Sequence, residues 1–376
     1  MENSKKVKNI LFRTKLKGNG IVNFDSSDQK WMFNGTQLYN TMGTKHDNTS
    51  YAKKKFYKKG EYINSDGKTI ENLEYKISIS SDCLRHDLFK DDVLFQSPNV
   101  INLPHLLYSF IASPTSLIRG YLFAEETETF KRKGALTITD AEQTCNAVSS
   151  IETFSRSGKK NSDSDKNGKS DNSFYKKEVV GDIEYKAVGN IDLMQLQFVS
   201  CDQIFDRYAF NPDMFNIYKQ FIKSKLPAFD SELGYYQING SLVEIPEYGF
   251  KISEENILIL VRELFERLFK LNITRKGAYA KVAELEYKLV YDVIDDTLED
   301  ENNWIKISNR DDINNINFEV ESFYNIEDIE IAKQKRAAIE ANYEDKKSAS
   351  KIKKAAEQTA KKAKKSIESI KTDSKS

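Results

Sequence analysis

The chain predicts an α+β fold built on one antiparallel sheet and interrupted by two long insertions. Three observations carry this. Residues 7–17 and 285–293 alternate apolar and polar side chains with the period of a half-buried strand, and residues 254–271 carry an apolar stripe at helical spacing. With the weaker signals between them, the order is strand, helix, strand, hairpin, helix, strand. That order is compatible with a split βαβ, ferredoxin-like (RRM-like) sheet and is shared by other α+β folds.

In VKNILFRTKLK (7–17), Ile10, Phe12, Thr14 and Leu16 share one face, and Leu11, Arg13, Lys15 and Lys17 share the other, giving a strand with a basic outer face. Gly18-Asn19-Gly20 ends it with residues that tolerate positive φ, which suits a turn or a close approach of backbone to a ligand. Residues 34–72 are polar, lack a period and predict a protruding excursion. There Lys53, Lys54 and Lys55 sit beside Tyr51, Phe56 and Tyr57, followed by Lys58 and Lys59. Ammonium groups neutralise phosphates while rings stack on bases, at about 1–3 kcal/mol per base. The same composition also suits a solubilising loop whose rings rest on the body. Ser80-Ser81 opens a helix predicted to run through Phe95, with Leu84, Leu88 and Phe95 on one side. Residues 117–123 (LIRGYLF) predict a strand whose one cation, Arg119, needs a carboxylate or a phosphate as partner.

Residues 124–178 form the second excursion. Lys131-Arg132-Lys133 precede LTITDAEQT, and residues 155–173 collapse into Ser, Gly, Lys, Asn and Asp, the composition of an exposed loop tip. Strand signals resume at 183–188 and 191–199, and Gly189-Asn190 between them predicts a two-residue hairpin turn. In the helix over 254–271, Ser253 is the N-cap, Glu254 and Glu255 complement the dipole, and Ile257, Leu260, Val261, Leu264, Phe265 and Leu268 form the buried stripe. An Arg275-Lys276-Gly277 turn leads into the last strand. Past residue 330 the composition shifts to Ala, Lys, Glu, Ser and Ile without sustained heptads, so residues 331–376 predict a basic tail, helical or disordered, that buries little.

The formal net charge of zero conceals an uneven distribution. Residues 1–60 hold 13 Lys/Arg against 4 Asp/Glu, residues 332–376 hold 14 against 6, and the middle holds 30 against 47. Basic ends on an acidic body predict that a polyanion is met by particular elements, unless those ends are merely solvated. Three scattered cysteines, an odd number, argue against a disulfide framework, and no apolar run approaches a membrane span, so a cytoplasmic protein is expected.

No phosphate-binding P-loop, HExxH site or GxSxG elbow occurs. Cys83-x-x-His86 suggests zinc, but the other cysteines and histidines stand at no ligand spacing, and a buried thiol near a hydrogen-bonded histidine is expected instead. The acidic pairs Asp91-Asp92, Asp295-Asp296 and Asp311-Asp312 could hold Mg²⁺, although neighbouring carboxylates in polar stretches are ordinarily surface charge. Neither a catalytic residue, a metal nor a cofactor is expected.

Two blocks, ISSDCLRHDLF (79–89) and GDIEYKAVGNIDLMQLQFVSCDQIFDR (181–207), stand in order with GNGIVN (18–23) and LIRGY (117–121). On these blocks the chain resembles the Cas-seven backbone subunit of the variant type I-F CRISPR surveillance complex (Cascade), of the RAMP superfamily, from about residue 7 to about residue 291. The resemblance implies an RRM-like palm over 7–330, with a finger-like insertion at 34–72 and a thumb-like insertion at 124–178. It implies a non-catalytic subunit that polymerises head to tail along the guide RNA (crRNA). The protein grips backbone and shape, and the guide's bases are left to pair with target DNA. The implied partners are crRNA, target DNA through the guide, further copies of the chain, Cas-five-like and Cas-six-like subunits and a recruited nuclease, with no membrane. The candidate RNA contacts are Arg13, Lys15, Lys17, Gly18, Gly20, Lys53, Lys54, Lys55, Arg85, His86, Arg119, Lys131, Arg132, Lys133, Arg275 and Lys276. Two rivals remain: an RNA-cleaving backbone subunit of the type III kind, with Asp25 or Asp28 as the cleaving aspartate, and a scaffold whose basic tail binds an acidic partner.

Overall fold

A computed structural model of the chain describes residues 6–25, 31–33, 36–38, 49–63, 69–90, 104–124, 129–147, 149–156, 173–242, 244–275, 277–291 and 302–346. Strand Asn9–Asn19 forms the spine. It pairs antiparallel with Asp182–Asp192 on one side and with Ala278–Val290 on the other. The sheet then runs in spatial order Asn272–Arg275, Ala278–Val290, Asn9–Asn19, Asp182–Asp192, Ala141–Gln143, Thr69–Ile79 and Lys54–Ile63. Leu136–Ile138 and Ile305–Ile307 pair with it as side strands. A curled antiparallel sheet with several helices is thus the core of a mixed α and β chain.

Helix Glu254–Phe269 covers one face of this sheet. Ser253 caps it by accepting from Asn256 N, and Ile257, Leu260, Val261, Leu264, Phe265 and Leu268 are fully buried, as their spacing predicts. Phe265 contacts Phe12 from the spine and Tyr287 from the neighbouring strand, at ring-centroid distances of 6.3 and 5.3 Å. Helix Ser81–Phe89 lies alongside, with Arg267 5.3 Å over the Phe89 ring. It ends at Phe89, and the predicted continuation to Phe95 lies outside the described residues.

Three sequence expectations are overturned. Residues 117–119 are helical, not extended: Ser113 caps helix Pro114–Arg119, Pro114 opens it, and Gly120 closes it at a φ of 77°. Only from Tyr121 does a strand run. Gly189-Asn190 makes no hairpin, because Asp182–Asp192 is one continuous strand. Gly189 lies opposite Phe12, and a Cβ there would sit 2.2 Å from Phe12 Cζ, so glycine makes room for a ring rather than a turn. The excursion at 34–72 is not aperiodic throughout: Lys54–Ile63 and Thr69–Ile79 form a long hairpin continuous with the main sheet. The second insertion likewise returns to that sheet at residues 136–143 and then sends out the hairpin Ser149–Arg156/Ser173–Val180.

A second antiparallel sheet runs in the order Arg207–Tyr208, Phe198–Asp202, Glu247–Lys251, Gly234–Ile238 and Tyr324–Glu327. Residues 329–346 are helical and mostly exposed, and dock on it through two buried residues. Ala332 is fully buried. The enclosed Arg336 pairs with Asp202, donates to Pro246 O at 2.8 Å and stands over the Tyr235 ring. Among the described residues no helix is long and apolar enough to cross a membrane.

Candidate nucleic-acid interface

Alternation along Asn9–Asn19 sends Ile10, Phe12, Thr14 and Leu16 beneath the helix and leaves Arg13, Lys15 and Lys17 on the opposite face. In register, Lys15 faces Lys186 on one side and Glu284 on the other, Arg13 faces Glu286, and Lys17 faces Glu184. Lys15 Nζ lies 3.1 Å from Glu184 and 3.9 Å from Glu284, and Lys17 Nζ lies 3.2 Å from Glu184. Arg13 pairs with Glu286 and stands 4.4 Å over the Trp304 ring. The hydrogen bond from Lys15 holds the Glu184 carboxyl below its ordinary range, and the same bond raises the Lys15 ammonium. A cavity of about 410 Å³ opens over this ladder, lined among others by Arg13, Lys15 and Lys186 and by the carboxylates of Glu284 and Glu286. Surface ion pairs contribute only about 0–1 kcal/mol each. Lys186 belongs to this face and escapes sequence reasoning, because a hairpin turn at Gly189-Asn190 would have placed its strand elsewhere.

The lysine cluster of the first insertion divides. Lys54, with its side chain only 3% exposed, forms a 2.9 Å ion pair with the fully enclosed Glu178, which also accepts from Ala52 N. That removes Lys54 from the solvent-facing role the sequence suggested, since its position in the strand points it inward at a carboxylate 124 residues away. Lys55 spans Asp140 at 3.2 Å and Glu142 at 3.0 Å. Burial and then its hydrogen bond to Glu142 push the Tyr57 hydroxyl up to about 12. Lys53 is half-buried. Gly18 and Gly20 are explained inside the chain: a Cβ on Gly18 would lie 2.0 Å from Tyr279 O, and one on Gly20 2.7 Å from Ala278 Cβ.

Around helix Ser81–Phe89, the sequence motif conceals a buried carboxylate. Asp87 is enclosed and held by Arg275 Nη2 at 2.6 Å and Lys90 Nζ at 3.2 Å, which ties the helix to strand Asn272–Arg275. The Cys83 thiol faces Asp87 and Arg275, not His86, which is exposed; burial first, then Asp87, raises the thiol's pKa. Among the described residues no three His, Cys, Asp or Glu side chains gather as a metal site. Asp311 and Asp312 belong to a helix cap in which Asn309 and Asp312 bond each other's backbone. Asp91-Asp92, Asp295-Asp296, Asp28 and Lys276 lie outside the described residues.

Arg119 ends its helix near Arg85, which pairs with Asp82. Burial first, then the neighbouring Arg85, lowers the Arg119 pKa, and Asp82 offsets part of this. Arg119 thus feels the charge of an arginine 34 positions away in the chain. In the triplet that follows, Lys131 pairs with Asp206, Arg132 turns inward to donate to Phe198 O and Gln195 O, and Lys133 is exposed.

The open face of the sheet thus carries a ladder of cations alternating with the carboxylates of Glu184, Glu284 and Glu286, with long hairpins beside it. The family profile of the type I-Fv CRISPR-associated protein Cas7fv-like matches residues 6–311, and the chain belongs to that family. A chain of a solved structure titled "CRISPR RNA-guided surveillance complex, pre-nicking" is similar over 74% of this chain and 75% of its own, at 10% identity and a TM-score of 0.33. No curated protein sequence matches.

Proposed function

We propose that this chain is the backbone subunit that coats the guide RNA of a type I-Fv CRISPR surveillance complex. The observation that carries this is the family match across residues 6–311. The subunit binds crRNA, stacks with further copies of itself and with other Cascade subunits, and presents the guide to target DNA. It acts as a binder without catalysis of its own.

The finer architecture we assign is a ferredoxin-like palm over residues 7–330 with finger-like and thumb-like insertions at 34–72 and 124–178. Supporting it, strands Ala278–Val290, Asn9–Asn19, Asp182–Asp192 and Ala141–Gln143 stand in the spatial order fourth, first, third, second. Helices Ser81–Phe89 and Glu254–Phe269 fall where the split βαβ unit places its two helices. Phosphate contacts are assigned to Arg13, Lys15 and Lys17 on the open face and to Arg85 and Arg119. Such contacts position the strand without reading its bases.

The test is binding and turnover of labelled RNA by purified protein. Nucleic acid co-purifying at a raised 260/280 ratio, and labelled RNA held intact with Mg²⁺ present, are expected. Protein free of nucleic acid and unable to take up guide RNA would leave the scaffold reading, and loss of the label would leave the nuclease reading. Replacing Lys15 and Lys17 by Ala is expected to lower the salt slope of binding by about 0.7 for each phosphate ligand removed, as single strands behave.

A further inference from the structure

A second cationic region stands apart from the sheet face. Between hairpin Tyr121–Ala124/Thr129–Arg132 and strand Phe198–Asp202 opens a cavity of about 440 Å³, bordered by Lys131, Lys133, Arg207 and the inward-turned Arg132. Its apolar wall includes Leu122, Phe198 and Tyr324; the last two rings are stacked at 4.6 Å, and Leu122 is 67% exposed. The volume falls within the range of about 300–1,000 Å³ that small-molecule sites occupy.

The charges here do not balance. Arg132 meets only carbonyl oxygens, those of Phe198 and Gln195, and its buried Nε has no acceptor among the described residues. Lys133 forms no ion pair with any described residue. Lys131 shares the exposed Asp206, and Arg207 reaches the buried Glu247 at 3.3 Å. A sequestered guanidinium that hydrogen-bonds to no carboxylate is costly unless an anion completes it. Burial lowers the Arg132 pKa, and Tyr121, Tyr218, Tyr324 and Asp192 offset part of this.

We propose that this cavity is a phosphate-binding site for a single-stranded nucleic acid. One phosphodiester sits between Arg132 and Lys133, and the adjoining base lies against Leu122 and Phe198. This rests on the RNA-coating reading and adds to it a second contact, off the sheet face, in which Arg207, Phe198 and Tyr324 join the Lys131–Lys133 triplet. Guanidinium forks suit phosphate oxygens, and aromatic walls accept any base, so binding there is independent of sequence.

The test uses the full chain freed of nucleic acid, titrated with a ten-nucleotide oligoribonucleotide at two salt concentrations. Two variants bracket the site with opposite signs. Lys133→Glu reverses the exposed cation at the mouth. Asp206→Asn removes the one carboxylate there, at a position whose φ of 58° asparagine adopts readily. Lys133→Glu is expected to weaken the oligonucleotide about tenfold or more and Asp206→Asn to tighten it severalfold, with melting temperatures of the free proteins unchanged. Inorganic phosphate is expected to raise the melting temperature of the wild type more than that of Lys133→Glu. Equal oligonucleotide affinity in all three proteins would overturn the cavity site while leaving the RNA-coating reading intact. A wild type that binds no oligonucleotide would overturn both.

Discussion

The Lys54 ammonium lies 2.9 Å from a Glu178 carboxylate that no water reaches, and the pair joins the first insertion's hairpin to the second's. Removing one partner of a buried pair leaves the other charge uncompensated, at about 3–5 kcal/mol. Lys54→Met is therefore expected to lower stability by that amount in denaturant unfolding, and Lys54→Met/Glu178→Met to recover most of it. The salt slope of RNA binding is expected to be the same in Lys54→Met as in the wild type, which separates a structural lysine from a phosphate ligand. Lys55 supplies a pH signature. Burial alone would raise Asp140 and Glu142, but hydrogen bonds outweigh it, from Ser81 and Lys55 for Asp140 and from Tyr57 and Lys55 for Glu142, so both carboxyls lie below their ordinary range. A depressed carboxylate contributes stability that is fully present above its unfolded value, near pH 4, and is lost as pH falls through its folded value. Lys55→Met is expected to flatten the acid limb of a melting-temperature profile below about pH 5; an unchanged limb would show that the bridge contributes nothing.

Among the secondary-structure elements, helix Glu254–Phe269 holds the sheet through a stripe with no exposed member, so Leu264→Ala is expected to cost about 2–5 kcal/mol in the same unfolding measurement. Gly189→Ala is expected to destabilise as well, because the new methyl would meet the Phe12 ring in the middle of a continuous strand. The helix over 329–346 is anchored by Arg336 on Asp202, and Asp202 also accepts from Tyr248 N and Ile204 N. Arg336→Ala strips the counter-charge from an enclosed carboxylate and is expected to lower the melting temperature by several degrees. A melting temperature within a degree of wild type would mean that the helix is not coupled to the second sheet.

As an assembling particle, a backbone subunit must offer complementary surfaces head to tail, a heterologous contact that propagates rather than closes. Protein mixed with guide RNAs of increasing length is expected to form particles whose mass, measured by light scattering, rises stepwise with RNA length. A constant monomer mass across the series would count against the backbone role.

Elements with local signals were legible in the amino-acid order. The alternation of Asn9–Asn19, the capped stripe of Glu254–Phe269 and the ordered blocks that mark the family could all be read there, because period and capping depend on neighbours a few positions away. What each charged or glycine residue is for emerged only when distant segments came together. Lys54 reads as a phosphate ligand until Glu178 closes on it, Gly189 reads as a turn until Phe12 lies across it, and Arg336 reads as a solvated tail cation until Asp202 takes it. Each outcome is set by register between segments 100 or more residues apart, and local periodicity carries no record of that register. Arg132 is the same lesson in reverse: three consecutive cations look alike in sequence, and only the fold turns the middle one inward to carbonyls while leaving its neighbours at the mouth of a cavity.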